Sequence, residues 1–222
     1  MPTPLTIRRY DGQADWYDAY NAPGAAALHP CLQRLLGPGQ GLCLDLGCGT
    51  GHYLQAIRAA GWTPVGVDVS ADQLRLARSR GSHLIQADAV ALPFANRAFS
   101  AAAVLWLSTD VDDFSLVLTE VVRVVERAGR VVFLGAHPCF NGPCVEFRDD
   151  GSRIVHTNYR AAGWHPDAPW WGENIRRRVG MRHVPLAELF TAFPGAGLHI
   201  ERVVEPHEVP VPWAIGIQAS VV

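Results

Sequence analysis

Short apolar runs alternate with segments of helical periodicity through the first 136 residues of the chain. Four runs are continuous enough to form buried strands: 42–44, 63–68, 99–107 and 130–136. The segments 53–60, 70–80 and 114–125 carry apolar residues at the three- and four-residue spacing of helices. Strict alternation of this kind predicts an α/β fold with a doubly wound parallel sheet, whose ligands bind across the carboxyl ends of the strands.

The pattern changes on either side of this alternating region. A helix is predicted over 25–36, before the stop signal Gly37-Pro38-Gly39. Residues 138–182 have weak periodicity and are rich in proline, glycine, tryptophan and histidine. After a short helix from 185 to 192, the runs 198–205 and 215–221 predict a closing antiparallel pair of strands. A long segment of weak periodicity inside a compact domain indicates a functional insertion.

Composition narrows the classes of function. The 222 residues are 49% hydrophobic and 18% charged, as in one globular domain. A formal net charge of −2 gives no general attraction to phosphate backbones, so no nucleic acid partner is expected. No signal peptide or membrane span is recognised, and we expect a cytoplasmic protein with no membrane partner. The five cysteines form no C-x-x-C pair, so neither disulfides nor a metal site are predicted.

Candidate chemistry begins with the stretch GLCLDLGCGTGHYL at residues 41–54. A strand reaches Asp45 and then breaks into Gly47, Gly49 and Gly51 before a helix begins. Glycines at alternate positions let backbone N–H groups approach a polar or anionic ligand closely. The dinucleotide fingerprint G-x-G-x-x-G requires a third glycine at position 52, which is His52 here.

Two further acids mark the ends of the next two strands: Asp68 closes the run 63–68, and Asp88 follows a strand predicted over 82–87. With the glycine turn, they resemble the motifs of class I S-adenosylmethionine-dependent methyltransferases that act on small molecules, of the methyltransferase type 11 kind. The resemblance implies a Rossmann-like, mostly parallel seven-stranded sheet with an antiparallel C-terminal strand and an inserted cap. It also implies S-adenosylmethionine as cofactor and S-adenosylhomocysteine as product. The cofactor-binding residues it implies are Tyr10, Tyr17, Asp45, Gly47, Gly49, Gly51, Asp68, Val69, Asp88, Ala89 and Leu105.

The resemblance also divides the single domain, 1–222, into four segments. We expect an N-terminal helical lid over 1–36, a cofactor-binding core over 37–136, a substrate-pocket insertion over 137–183, and a closing helix and strands over 184–222. The tyrosines of the lid would provide a cation–π contact to the sulfonium. The partner is a small-molecule acceptor, and the protein is expected to be a monomer or a homodimer.

The acceptor is predicted to be aromatic or otherwise planar, because large aromatic side chains stack on planar ligands. Methylation of oxygen or nitrogen is favoured over carbon, in a role consistent with secondary metabolism. His137 and His165 are the candidate catalytic bases, although a structural histidine explains His137 equally well. The residues expected to bind the acceptor are Trp106, Phe140, Tyr159, Trp164 and His183, with His207 and Trp213 as outside candidates.

Three alternatives stay open at the level of sequence. A basic cluster could clamp a carboxylate or phosphate of the acceptor or form a solvated helix face; its members are Arg176, Arg177, Arg178 and Arg182. The chain could be a non-catalytic protein that binds S-adenosylmethionine. A nicotinamide-dependent oxidoreductase is less favoured, because His52 breaks the dinucleotide fingerprint and no second mononucleotide-binding half follows.

Overall fold

Eleven strands and six helices make up the computed structural model, which describes residues 9–81, 83–206 and 209–222. The strands are β1 (Leu42–Leu46), β2 (Thr63–Asp68), β3 (Leu84–Gln86), β4 (Phe99–Leu105), β5 (Val125–Ala136), β6 (Val145–Phe147), β7 (Arg153–Val155), β8 (Gly163–His165), β9 (Met181–His183), β10 (Leu198–Val204) and β11 (Ala214–Val221). The helices are α1 (Ala14–Leu36), α2 (Leu54–Ala59), α3 (Ala71–Ala77), α4 (Phe114–Val124), α5 (Ile175–Val179) and α6 (Leu186–Ala196).

Seven of the strands form one sheet in the order β10-β11-β5-β4-β1-β2-β3. β11 runs antiparallel to both β5 and β10, and the other neighbouring pairs are parallel. The predicted fold class is therefore confirmed, including the antiparallel C-terminal strand. Because β1 to β4 are parallel, their carboxyl ends lie along one edge of the sheet.

The sheet is buried on both faces, as the apolar runs predict. In β4, Ala102 and Val104 face the core formed with α4 and α6, while Ala101, Ala103 and Leu105 face the core formed with α1 and α2. Successive strand residues point to opposite faces, so an unbroken apolar run is the pattern of a strand covered on both sides. The unbroken apolar runs in the sequence are therefore explained by burial of these strands on both faces.

The N-terminal helix is longer than predicted. The expectation that it begins at Ala25 is wrong, since α1 begins at Ala14 and continues through Pro23 and Pro30. Each proline removes one backbone donor, but neither ends the helix. Contacts of the first turns explain this, because the backbone N–H groups of Gly12 and Ala14 donate to Asp72 at the start of α3. Residues 1–8 of the predicted lid lie outside the described residues.

The segment between β5 and α6 contains two small antiparallel pairs, β6 with β7 and β8 with β9. Short strands of three residues have too few positions to show a periodicity, which is why the sequence predicts no elements here. Within the described residues, no helix has both the length and the apolar character needed to cross a membrane.

Candidate active site

The turn after β1 requires glycine for two separate reasons. Gly47, Gly49 and Gly51 all have positive φ, at 74°, 53° and 85°. A Cβ on Gly51 would stand 2.9 Å from Leu54 and 3.2 Å from Ala77, so side chains are excluded there by packing. A Cβ on Gly49 would meet nothing closer than 3.6 Å. Gly51 therefore serves the fold, whereas the space beside Gly49 is open to a ligand.

Asp68 ends β2 and holds the glycine turn in place. The backbone N–H of Gly49 donates to Oδ2 of Asp68 at 2.8 Å, and that of Ser70 donates to Oδ1 at 2.9 Å. Burial raises the pKa of Asp68 to about 6, although the two N–H donors oppose the shift. Each carboxylate oxygen keeps further acceptor capacity beyond these bonds.

Asp45 lies inside the sheet without any exposed surface. Neither of its carboxylate oxygens has a hydrogen-bond partner among the described residues. Burial, and then the charge of Asp68, raises the pKa of Asp45 to about 7. A buried carboxylate without a partner is costly in a folded protein, and at a pH above its pKa this one places a negative charge behind the glycine turn.

A cavity opens at the carboxyl ends of β1, β2 and β4. It joins the glycine turn, Asp68 and Asp88 in one space, although these residues lie on three different strands or loops. The described residues that line it include these predicted ones: Tyr10, Tyr17, Gly47, Gly49, Asp68, Val69, Asp88, Ala89, Leu105 and Trp106. Asp45 and Gly51, also predicted to bind the cofactor, do not line it, because both are buried behind the turn.

The residues before α1 cover this cavity. Tyr10 and Tyr17 pack edge to face with ring centroids 5.1 Å apart, and both rings line the cavity. The Tyr10 hydroxyl donates to Oδ1 of Asp110 at 3.0 Å, and Asp11 accepts a hydrogen bond from the Ser70 hydroxyl. Burial raises the pKa of Tyr10 and of Tyr17, so both phenols stay neutral at physiological pH. The N-terminal segment is thus docked on the loops that carry Asp68 and Asp110.

A methyltransferase-domain family model matches residues 44–133, from β1 to β5. The matched segment carries the glycine turn, Asp68 and Asp88, the same elements that meet in the cavity. Residues 44–133 therefore form a methyltransferase domain, and the chain has the class I methyltransferase fold. The family that the sequence motifs resemble is therefore confirmed, and this match displaces the oxidoreductase alternative.

Curated proteins similar to this chain are named as methyltransferases, but their names specify different acceptors. The chain is 33% identical over 125 residues to a demethylmenaquinone methyltransferase of Renibacterium salmoninarum, covering 55% of this chain and 48% of that protein. It is 37% identical over 123 residues to a malonyl-[acyl-carrier protein] O-methyltransferase of Erwinia billingiae, covering 47% and 46%. The chain thus spans about half the length of the curated relatives it matches.

Similarity of fold extends further than similarity of sequence. The crystal structure of an S-adenosylmethionine dependent methyltransferase from Mesorhizobium loti superposes with a TM-score of 0.71 at 22% identity, covering 90% of this chain and 99% of that one. The shared fold therefore extends beyond residues 44–133, the segment that the family model matches.

The predicted catalytic histidines, His137 and His165, do not line the cavity. Nε2 of His137 is 3.1 Å from Glu205, and its ring packs on Phe140 with centroids 4.6 Å apart. Nε2 of His165 is 2.8 Å from the carbonyl oxygen of Ala161. Among the described residues that line the cavity there is no histidine. Burial lowers the pKa of His137, which directly follows β5.

Of the residues predicted to bind the acceptor, Trp106 after β4 lines the cavity, whereas Phe140, Tyr159, Trp164 and His183 of the insertion do not. Trp164 stacks under the guanidinium of Arg9, whose Cζ lies 3.7 Å from the ring centroid. Tyr159 and His183 bind each other, since Nε2 of His183 is 2.7 Å from the Tyr159 carbonyl oxygen. These side chains build the insertion and its contact with the N-terminal segment. His207 lies outside the described residues.

Trp106 stands at the end of β4 with a φ of 65°, a left-handed backbone that is rare for a bulky residue. Its indole N–H donates to the Tyr53 hydroxyl at 2.8 Å, and its ring stacks on Trp213 with centroids 5.4 Å apart. Strained positions of this kind cluster at functional sites. Trp213 is not among the described residues that line the cavity, and it supports the site by stacking on Trp106.

Sequence reasoning does not assign Gln73 or Asp110 to this site, and it marks Arg176 only as part of an arginine cluster. Gln73 and Asp110 line the cavity, and Arg176 binds Asp110 from the insertion. Gln73 lies inside α3, and no sequence motif marks a glutamine at that position as a ligand-binding residue. Arg176 belongs to a run of three arginines, and only the fold distinguishes the buried one from its exposed neighbours.

Proposed function

We propose that this methyltransferase binds S-adenosylmethionine in the cavity and transfers a methyl group to a small, aromatic or otherwise planar acceptor. One observation carries the proposal: a single cavity joins the glycine turn, Asp68 and Asp88. A sulfonium cofactor with a nucleoside and an amino acid end needs close backbone approach, hydroxyl acceptors and negative potential in one place. The unpartnered carboxylate of Asp45 supplies that potential next to the turn.

Each part of the cavity has a distinct task in this proposal. Gly49 leaves room for the cofactor to lie against the backbone, and Gly47 lines the same cavity. Asp68 accepts hydrogen bonds from the ribose hydroxyls with the acceptor capacity that its two N–H donors leave unused. Asp88 and Ala89 bind the adenine. Asp45 stabilises the cationic end of the cofactor through its field, from behind the turn.

S-adenosylmethionine supplies a methyl group that its sulfonium already activates for transfer. The protein then has to orient the acceptor, exclude water and stabilise the positive charge. Tyr10 and Tyr17 offer neutral aromatic rings in the cavity, which suits a cation–π contact. The docked N-terminal segment also shields the space from solvent.

The acceptor nucleophile is proposed to be one that needs no histidine base. The titratable side chains among the described lining residues are aspartates, tyrosines and Arg9. An acidic phenol or a carboxylate is already deprotonated at neutral pH, and an amine needs only positioning. The apolar wall formed by Leu105, Trp106, Leu107 and Val111 suits a planar acceptor.

A methyl-transfer assay tests this function. The protein would be incubated with S-adenosylmethionine labelled at the methyl carbon and with panels of phenols, aromatic carboxylic acids, amines and hydroxyquinones. We expect label on an oxygen or nitrogen of a planar compound, located by NMR, and none with Asp68→Ala. Label on carbon would overturn the proposed nucleophile. If S-adenosylhomocysteine binds but no compound in any panel is labelled, the chain is a binding protein.

A further inference from the structure

Gln73 is a buried amide that faces the cavity. It lies on α3, is 2% exposed, and is one of the described residues that line the site. Its backbone N–H donates to the Ser70 hydroxyl at 3.2 Å, which caps the helix. Neither its side-chain nitrogen nor its side-chain oxygen has a partner among the described residues.

Such an arrangement is unfavourable for folding alone. Buried amide groups are almost always hydrogen-bonded, because an unmade bond leaves their desolvation uncompensated. The neighbouring positions on the same helix, Leu74 and Ala77, pack in an apolar cluster with Cys48. An apolar side chain of the same length at position 73 would fit these surroundings without an unpaired polar group. The amide is therefore explained by something that enters the cavity.

The position of the amide indicates which part of a ligand it meets. Its Oε1 lies 3.6 Å from the point where a Cβ on Gly49 would stand, and Cε1 of Tyr17 lies 3.9 Å from the same point. The N–H of Gly49 is bound to Asp68, so Gln73 lies on the side of the turn that carries this acid. A neutral amide, which can both donate and accept, matches hydroxyls and ring nitrogens better than it matches charged groups.

We infer that the Gln73 side chain hydrogen-bonds the nucleoside half of S-adenosylmethionine, beside Asp68. This inference rests on the proposed function and adds a positioning residue that no motif marks. It predicts that one substitution of Gln73 has two opposite effects. Removing the amide should raise the stability of the free protein, because an unpaired buried group is lost, and should weaken ligand binding, because a hydrogen bond is lost.

The test uses Gln73→Met, which keeps the length and unbranched shape of the side chain, with Gln73→Leu in parallel. Binding of S-adenosylhomocysteine and of 5′-methylthioadenosine, which lacks the amino acid half, is measured by calorimetry. We expect both to weaken by about tenfold, the usual loss for one hydrogen bond. The Tm of the free protein should rise by roughly 2–4 °C.

Gln33→Met is the matched control. The Gln33 amide donates to the Ala56 carbonyl at 3.3 Å, so its removal should lower the Tm and leave both ligands bound as before. Unchanged binding of both ligands to Gln73→Met would overturn the inference while the proposed function stands. Weakening of S-adenosylhomocysteine alone would also overturn it, because the amide would then bind the amino acid half. If the unmodified protein binds neither ligand, the proposed function itself fails.

Discussion

Arg176 and Asp110 form an ion pair at 2.9 Å that joins the insertion to the loop after β4. The same aspartate accepts a hydrogen bond from Tyr10, and Arg176 also donates to the Thr109 hydroxyl at 2.8 Å. Three segments that are far apart in sequence therefore meet at one carboxylate. Since Asp110 and Tyr10 line the cavity, this junction holds the N-terminal segment against the cavity.

Breaking this junction should cost stability. Arg176→Gln leaves Asp110 without its cation, and removing one partner of a largely buried pair costs on the order of 3 kcal/mol. Urea unfolding measures the change. Arg177→Gln is the matched control on the same helix, because its pair with Asp167 is about half exposed and is expected to contribute less than about 1 kcal/mol. Equal losses in the two variants would contradict the role of the junction.

Substitutions at two glycines of the turn should separate an effect on stability from an effect on ligand binding. Gly51→Ala places a Cβ 2.9 Å from Leu54 at a φ of 85°, so we expect a loss of about 2–3 kcal/mol in stability. Gly49→Ala has room for its methyl group and should lose only about 1 kcal/mol, but it fills space that the ligand needs. Calorimetry with S-adenosylhomocysteine should show lost binding for Gly49→Ala. Normal affinity in that variant would rule out close approach of the ligand to this residue.

Tyr17 should distinguish the charged cofactor from its neutral product. If its ring contacts the sulfonium, Tyr17→Leu weakens S-adenosylmethionine more than S-adenosylhomocysteine, by an extra factor of about 3–10. The ratio of the two dissociation constants reports this difference and cancels general damage to the site. Tyr20→Leu serves as control, because that ring is exposed and stacks on Trp16. An unchanged ratio in Tyr17→Leu would argue against the cation–π contact.

Asp45 should make the stability of the ligand-free protein depend on pH. Its pKa is about 7 in the folded protein because of burial and the nearby Asp68, against about 3.9 in an unfolded chain. The folded state therefore holds the proton more tightly, and this contribution to stability is complete below about pH 4 and lost as the pH rises through about 7.

Asp45→Asn removes that dependence. Its stability relative to the unmodified protein should be near zero at pH 4 and rise to on the order of 3 kcal/mol at pH 8. Urea unfolding at several pH values measures the difference, with the exposed Asp149→Asn as control. A difference that stays constant with pH would show that folding does not shift the pKa of Asp45.

Local patterns predicted most of the fold and the cofactor side of the site. The glycine turn, Asp68 and Asp88 each follow a strand directly, so their spacing places them at the same sheet edge. The start of α1 was mispredicted because Pro23 and Gly24 are local stop signals, whereas contacts with α3 extend the helix. Arg176 and Asp110 are 66 positions apart, and no local pattern encodes such a contact. For the same reason, the sequence could not show that His137 binds Glu205 away from the cavity.

The proposed cofactor site is best tested by titrating S-adenosylhomocysteine into the unmodified protein and into Asp68→Ala. We expect one binding site per chain in the unmodified protein and no measurable binding in Asp68→Ala, because the carboxylate both orders the glycine turn and accepts the ligand hydroxyls. Circular dichroism would verify that the variant is folded. Absence of binding to the unmodified protein, or equal affinity in a folded Asp68→Ala variant, would contradict the proposed site.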